Sequence, residues 1–201
     1  MSHNRCKGFT LIELLVVIGI IAVLIAMLLP ALRRAQAQAN SVRCQSNMRQ
    51  VGNHLQMYAI QWRGWIFPPG LGSNMPLEQR WPVFVFKPAV WNPPLMKCPI
   101  DYEPSEDHTY ILNAHLSERG FKFGNKPPRG FSASDIIVLG EKNASYPDYY
   151  MDSGNYPTRV NPYMHGVRLG SNYLFLDMHV GVNKPKEALV AIDPWDTGSL
   201  P

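Results

Sequence analysis

One stretch constrains the 201-residue chain before any other: from Leu14 through Leu32 no side chain carries a charge. A helix rises about 1.5 Å per residue, so this run spans roughly 28 Å, close to the hydrocarbon thickness of a bilayer. The run predicts a membrane-crossing helix and leaves enough chain behind it for one modest core. Arg5 and Lys7 precede the run, whereas a cleavable secretory signal carries its small-residue cut site after it. Here the small residue placed for cutting, Gly8, comes first, so a cut there leaves the apolar helix on the mature chain. Hydropathy alone is equally consistent with an uncut anchor.

Glu13 separates the two readings. An ionisable group within a spanning segment costs on the order of 3 kcal/mol at mid-bilayer and marks a function with a partner to be named. Glu13 either snorkels to the interface or meets a cation. If Phe9 becomes the first residue, its new α-amino group is positive, and Glu13 of one subunit can neutralise the amine of the next.

The segment Lys7-Gly8-Phe9-Thr10-Leu11-Ile12-Glu13-Leu14-Leu15-Val16-Val17 resembles the processing signature of type IV prepilins and type II secretion pseudopilins. The resemblance covers about the first 60 residues. It implies cleavage after Gly8 by a membrane aspartyl peptidase, N-methylation of Phe9 by the same enzyme, and subunit registration by Glu13. It implies as partners that prepilin peptidase and methyltransferase, an inner-membrane assembly platform with its ATPase, other pilin or pseudopilin subunits, and membrane lipid. The expected location is the bacterial inner membrane, single-pass, with a cytoplasmic N-terminus and a periplasmic head, and then the filament. Pro30 falls where family members kink or locally melt the helix, and a proline there removes one backbone bond and bends the rod.

Beyond Leu32 the helix becomes amphipathic. Cys44, Met48, Val51, Leu55, Tyr58 and Trp62 recur at spacings of 4, 3, 4, 3 and 4, one helical stripe. Arg33, Arg34, Arg43, Asn47, Arg49 and Gln50 fall mostly away from it. A helix from Phe9 to about Trp62 extends roughly 80 Å; Gly52 weakens it slightly, and Gly64 with Pro68-Pro69-Gly70 ends it. The stripe reads as core rather than a coiled-coil seam, because the following chain needs something to pack against. With 18 prolines, 15 glycines, 5 tryptophans and 9 tyrosines, that chain is a loop-rich domain with aromatic packing. The expected organisation is a leader at 1–8, a transmembrane helix at 9–32, an amphipathic continuation at 33–62 and a globular head at 63–201. The fold class is α+β: a long N-terminal helix, its first half transmembrane, packed on a small antiparallel sheet in pilin-like fashion.

Within the head, prolines from Pro68 to Pro99 forbid long regular elements. Val83 to Phe86 reads as an edge strand, Tyr110 to Leu112 as another, and Ile136 to Gly140 as a buried strand. Asn172 to Leu176 and His179 to Val182 read as a hairpin joined at Asp177-Met178. A tight turn favours positive φ at its centre, which suits Asp-Gly better than Asp-Met, so the turn is expected to be longer or strained.

A second resemblance, to planctomycete-type and related bacterial pilin-like proteins, rests on three segments. They are Arg43-Cys44-Gln45-Ser46-Asn47-Met48-Arg49-Gln50, Cys98-Pro99-Ile100-Asp101, and His165 through Asp177-Met178-His179-Val180. Those proteins end in a His-then-Asp-Gly hairpin; here the interval is 11 residues rather than nine, and the glycine is Met178. The resemblance therefore carries the hairpin and the architecture, with no role for His165 or Asp177.

Cys6 leaves with the leader, so Cys44 and Cys98 remain as one potential pair. Cys44 reads either as a small buried apolar group or as a bonded partner of Cys98. The tether that a proline-bounded loop gains in an extracytoplasmic head favours the bond. His165, Asp177 and His179 are the best metal candidates, since imidazole and carboxylate suit zinc, although structural histidines are the favoured reading. Calcium is the ion that pseudopilin heads can carry; Asp101, Glu103, Glu106, Asp107, Asp148, Asp152 and Asn155 are the oxygen donors, with a solvated surface favoured instead. No other cofactor is expected.

The formal charge of +4, less the two charges of Arg5 and Lys7 in the leader, is +2, weak support for nucleic-acid binding. There is no Gly-x-Ser-x-Gly elbow, recognisable Cys-His spacing or phosphate-cradling glycine loop, so an enzyme is not expected. The leading expectation is a structural subunit of a pilus or secretion pseudopilus. The alternative is a minor pilin whose head binds DNA, glycan or a secreted protein through Trp62, Trp65, Trp81 and Trp91 with Arg63 and Arg80. A membrane-anchored metal protein ranks last.

Overall fold

The computed structural model describes residues 11–68, 80–86, 94–101, 108–118, 120–127, 130–147 and 149–183. The chain divides into two compact units, Met1–Ala39 and Asn40–Pro201. Helix α1, Leu11–Gln61, contributes to both and contains Pro30.

In the first unit every large apolar side chain from Leu11 to Leu32 is exposed. From Leu14 onward the segment is apolar around its whole circumference, which in a stable helix requires lipid or other protein around it. It is long and apolar enough to cross a membrane.

In the second unit α1 is followed by α2 (Trp81–Phe86), β1 (Tyr110–Asn113), α3 (Ala114–Glu118), β2 (Ile137–Glu141), β3 (Tyr150–Met151), α4 (Tyr156–Arg159), β4 (Ser171–Phe175) and β5 (Val180–Asn183). The strands form one sheet in the order β3-β1-β2-β4-β5. All neighbours are antiparallel except β1 and β3, where Leu112 faces Tyr150 and Asn113 faces Met151 in parallel. The architecture is α+β as expected, and the sheet is mixed because of this short edge pair.

The sheet is covered on both faces. Met48, Val51 and Leu55 of α1 belong to one core with Tyr110, Leu112, Val138, Leu139, Leu174 and Val180. The opposite face gathers Ile111, Ile137, Met151, Tyr156, Val160, Tyr173 and Phe175 into a second core. Burial on both faces explains why β2 reads as a continuous apolar run rather than an alternating one. Between Ile137 and Leu139 the register against β4 shifts, Ile137 facing Phe175 and Leu139 facing Leu174. This bulge keeps Val138 and Leu139 in the same core and sets Glu141 on the α1 side of the sheet.

The α1 stripe packs as core from Cys44 to Tyr58, but Trp62 is 57% exposed. The helix ends just before it: Arg63 and Gly64 take positive φ of 55° and 89°, and the Gly64 N–H reaches back to the Ala59 carbonyl at 2.8 Å. Gly52 has a packing reason for its place in the helix. A Cβ there would lie 3.1 Å from Leu174 Cδ1 and 3.2 Å from Met178 Sδ, so the missing side chain lets the β4–β5 hairpin approach α1.

Two expectations are corrected. Residues 83–86 are helical, within α2, rather than an edge strand. Pro82 lies in the first turn, where a missing N–H costs nothing, and the Val-Phe-Val-Phe composition that suggests a strand serves burial instead. Trp81 is fully buried rather than exposed. Its indole Nε1 donates to the Tyr149 carbonyl at 3.1 Å and its backbone N–H to the Tyr150 hydroxyl at 3.0 Å. A tryptophan with its polar edge satisfied inside the core offers no surface to a base or sugar.

The hairpin turn is longer than two residues. Met178 N–H bonds the Phe175 carbonyl at 2.9 Å, Phe175 N–H bonds the His179 carbonyl at 3.0 Å, and Met178 holds φ of 70°. This is a type I turn closed by a left-handed residue, the position usually given to glycine. Met178 tolerates it while packing against the core beside Gly52.

Candidate functional sites: the N-terminal helix and a buried polar cluster

Gly8 and Phe9 lie outside the described residues. Glu13 is exposed in the first turn of α1, and Pro30 lies within that helix. A carboxylate in the first turn is favourably placed against the positive end of the helix dipole.

In the second unit α1 delivers Cys44 to Cys98, which follows a short 3-10 turn at Pro94–Met96. The two form a disulfide with Cα atoms 5.0 Å apart. Both are buried. Around them the structure assembles polar groups that ordinary core packing would exclude. Asn47 Nδ2 donates to the Lys97 carbonyl at 2.9 Å, the Cys98 N–H donates to Thr109 Oγ1 at 2.9 Å, and the Tyr110 hydroxyl donates to the Cys44 carbonyl at 3.2 Å. Burial and the nearby Glu141 carboxylate push the Tyr110 phenol well above its ordinary range.

Beneath the disulfide, Glu141 at the end of β2 is fully buried. Its Oε2 accepts the Asn172 backbone N–H at 2.8 Å, and its Oε1 accepts Asn172 Nδ2 at 3.1 Å and lies 2.9 Å from His165 Nε2. His165 Nε2 also stands 3.9 Å from Cys98 Sγ and 2.8 Å from Asn172 Nδ2. The Asn172 amide is held from α1 by Gln45 Nε2, which donates to Oδ1 at 3.0 Å, and more weakly by the Ser41 hydroxyl at 3.4 Å. A buried carboxylate is tolerable only when so surrounded by donors. The cluster thus joins α1, the Cys98 loop, β2, the His165 loop and β4.

Three sequence-predicted metal candidates do not meet. His165 belongs to this buried cluster, while Asp177 and His179 pair with each other at the exposed hairpin tip, Nδ1 to Oδ1 at 2.6 Å. Of the oxygen donors weighed for calcium, Asp101, Asp152 and Asn155 are among the described residues, and each is engaged in local hydrogen bonds. Asp152 accepts Asn155 N–H at 2.8 Å and Asn155 Nδ2 at 2.7 Å, closing a local turn. Asp101 accepts the Thr109 hydroxyl at 2.9 Å, and burial raises its carboxyl pKa above the usual value against the pull of Thr109 and Lys142. Glu103, Glu106, Asp107 and Asp148 lie outside the described residues. Of the aromatic surface proposed for ligands, Trp91 is likewise outside them; Trp65 is half-buried with Lys122 Nζ 4.4 Å above its ring, and exposed Trp62 stacks on Tyr58.

Sequence reasoning missed Glu141. Its signal was a charged residue two positions past Leu139, which strand alternation places on Leu139's face; without the bulge and the strand order that face was unknown.

Residues 3–29 match the family described as "Prokaryotic N-terminal methylation motif". The type IV wide pilus major component PilA4 of Thermus thermophilus is 46% identical over 57 residues, which cover 28% of this chain and 44% of that protein. The chain therefore spans less than half the length of that curated relative. No solved structure matches. The chain thus carries the prokaryotic N-terminal methylation motif at the head of an apolar α1, is similar over its N-terminal part to a type IV pilin, and has a long helix packed on a mixed five-stranded sheet in a pilin-like α+β arrangement.

Proposed function

We propose that this chain is a structural subunit of a type IV pilus or a type II secretion pseudopilus, assembled from the inner membrane by helix packing after cleavage between Gly8 and Phe9. The observation that carries the reading is the bare apolar circumference of α1 from Leu14 to Leu32, directly behind the methylation motif. One surface serves twice: lipid covers it while the subunit is stored, and neighbouring helices cover it in the filament. Without a hydrophobic gain on leaving lipid, helix association relies on close packing and on polar pairs, which gives Glu13 its task. Paired with the Phe9 amine of the next subunit, its carboxylate fixes the register between helices whose apolar faces could otherwise slide. Prepilin peptidase acts on Gly8 and methylates Phe9, and the assembly platform with its ATPase supplies the work of extraction. The head, periplasmic before assembly, is non-enzymatic in this reading. The ligand-capturing minor-pilin alternative loses support with the burial of Trp81.

The test is Glu13→Ala. Membrane insertion is expected to persist, since the substitution only increases apolarity, while filament incorporation beside the wild-type machinery is lost. Normal incorporation of Glu13→Ala would remove registration by charge pairing from the account.

A further inference from the structure

Four potential metal-ligand atoms converge on one point in the buried cluster. The sulfurs of Cys44 and Cys98, a Glu141 carboxylate oxygen and a His165 ring nitrogen all lie within 4.8 Å of one another, and all four residues are buried. They come from α1, the Cys98 loop, β2 and the loop before β4, so the convergence is tertiary rather than a local motif. Zinc holds thiolates at about 2.3 Å and imidazole or carboxylate at about 2.0–2.2 Å, which in a tetrahedron separates ligand atoms by roughly 3.3–3.8 Å. The quartet needs only small shifts to meet that geometry once the two sulfurs are released from each other: the 2.9 Å contact of His165 with Glu141 opens a little and the 3.9 Å contact of His165 with Cys98 closes a little. A second observation points the same way. Three polar atoms, His165 Nε2, Glu141 Oε1 and Asn172 Nδ2, crowd within 2.8–3.1 Å of one another, and His165 Nδ1 is buried with no hydrogen-bond partner among the described residues. The Nε2 atom that faces the sulfurs cannot at once donate to Glu141 and accept from Asn172, so in either tautomer one of these buried contacts is unmade, a costly arrangement for a purely structural histidine.

We infer that the head has two interchangeable staples at this place: the Cys44–Cys98 disulfide, and, when those thiols are reduced, one zinc-class ion held by Cys44, Cys98, His165 and Glu141. Binding converts two thiols to thiolates and releases two protons. Oxidation then proceeds by thiol–disulfide exchange with a disulfide-bonded oxidant. The zinc dithiolate, the oxidant's disulfide and two protons give the protein disulfide, the oxidant's dithiol and free Zn2+, with the two electrons passing from the cysteines to the oxidant. Access follows from order. All four groups are buried in the folded head, so the ion enters as the reduced chain folds and supplies the cross-link before an oxidising compartment replaces it. Asn172 moves its amide from the quartet toward Gln45 and Ser41, the groups that already hold its oxygen. This site does not depend on the filament reading, and it differs from the hairpin-tip pair of Asp177 and His179.

The experiment uses the full chain in detergent, reduced with a non-thiol reductant under anaerobic conditions, unfolded in denaturant and refolded in the presence of increasing Co2+ alone. The expected result is one ion per chain with a thiolate-to-cobalt charge-transfer band, absent when the disulfide is intact. Zn2+ should displace Co2+, and oxidation of the zinc-loaded chain with a small disulfide should release one zinc per disulfide formed. Glu141→Gln, which preserves shape, and His165→Ala should each weaken binding by about 10–100-fold or more. His179→Ala should leave it unchanged. Each variant's fold is checked first in its oxidised form, where the disulfide maintains the head. Absence of the band in the reduced wild type would overturn the inference. So would equal affinity in Glu141→Gln and His165→Ala, which would mean that the thiolates bind metal without the buried pair.

Discussion

The disulfide is the single bond whose loss should be felt most. Cys44 and Cys98 are 54 residues apart in sequence, and chain entropy for a closed loop of that size gives about 4 kcal/mol at 25 °C. A domain of this size typically has only about 5–15 kcal/mol of net stability, so the bond is a large share of it. The matching perturbation is Cys44→Ala with Cys98→Ala, measured in metal-free buffer by thermal unfolding followed through tryptophan fluorescence, since Trp81 is fully buried. The midpoint temperature should fall by roughly 8–16 °C, from about 2–4 °C per kcal/mol for a domain of this length. The loss should also appear on reduction of the wild type without metal, and zinc should restore part of it in the reduced wild type but none in the double variant. A loss under about 1 kcal/mol in the double variant would refute the argument, because it would mean that residual structure in the unfolded chain already restricts the loop's freedom.

Three further outcomes follow from particular contacts. Glu141→Ala leaves the Asn172 N–H and amide without their buried acceptor, and denaturant unfolding should show a loss of about 2–4 kcal/mol. Gly52→Val adds atoms where Leu174 and Met178 already stand; despite valine's better helix propensity it should cost about 1–3 kcal/mol by the same measurement. Asp101 titrates above the unfolded value of 3.8 because burial opposes its charge, so its protonated form favours the folded state. Its contribution is present below 3.8 and is lost as pH rises through the folded pKa; Asp101→Asn should therefore be the more stable form at neutral pH, with the difference fading in acid, as thermal melts across that range would show.

Much of the architecture was legible where one physical requirement dominated. The uncharged run, Gly8 and Glu13 announced an apolar helix with a processing signal, and the 4-3-4-3 stripe from Cys44 to Tyr58 predicted which face α1 would bury. The strands at Tyr110 and Ile137 showed through their apolar composition. What escaped were features set by tertiary context. Val83–Phe86 has strand composition, but a six-residue segment carries too little periodicity to distinguish a helix that buries Trp81, Pro82 and Val85. Trp81 was misread as surface because nothing local reveals that the Tyr149 carbonyl will meet its indole. The Glu141–His165–Asn172 cluster depends on a bulge, a strand order and the loops that carry Cys98 and His165, none of which leaves a spacing signal. His165 stood out in the sequence, yet Asp177 and His179, its neighbours in the notional metal set, turned to each other at the hairpin tip because the Met178 turn points them outward.

The fate of the first residues, rather than of the head, separates a filament subunit from a plain anchor, and it is read from the intact mass of the chain recovered from membranes of a host with an active prepilin peptidase. The expected chain begins at Phe9, lacks residues 1–8 and carries one added methyl group on its α-amine. A chain that retains Met1 to Gly8 in such a host would contradict the subunit reading and return α1 to the status of a plain membrane anchor.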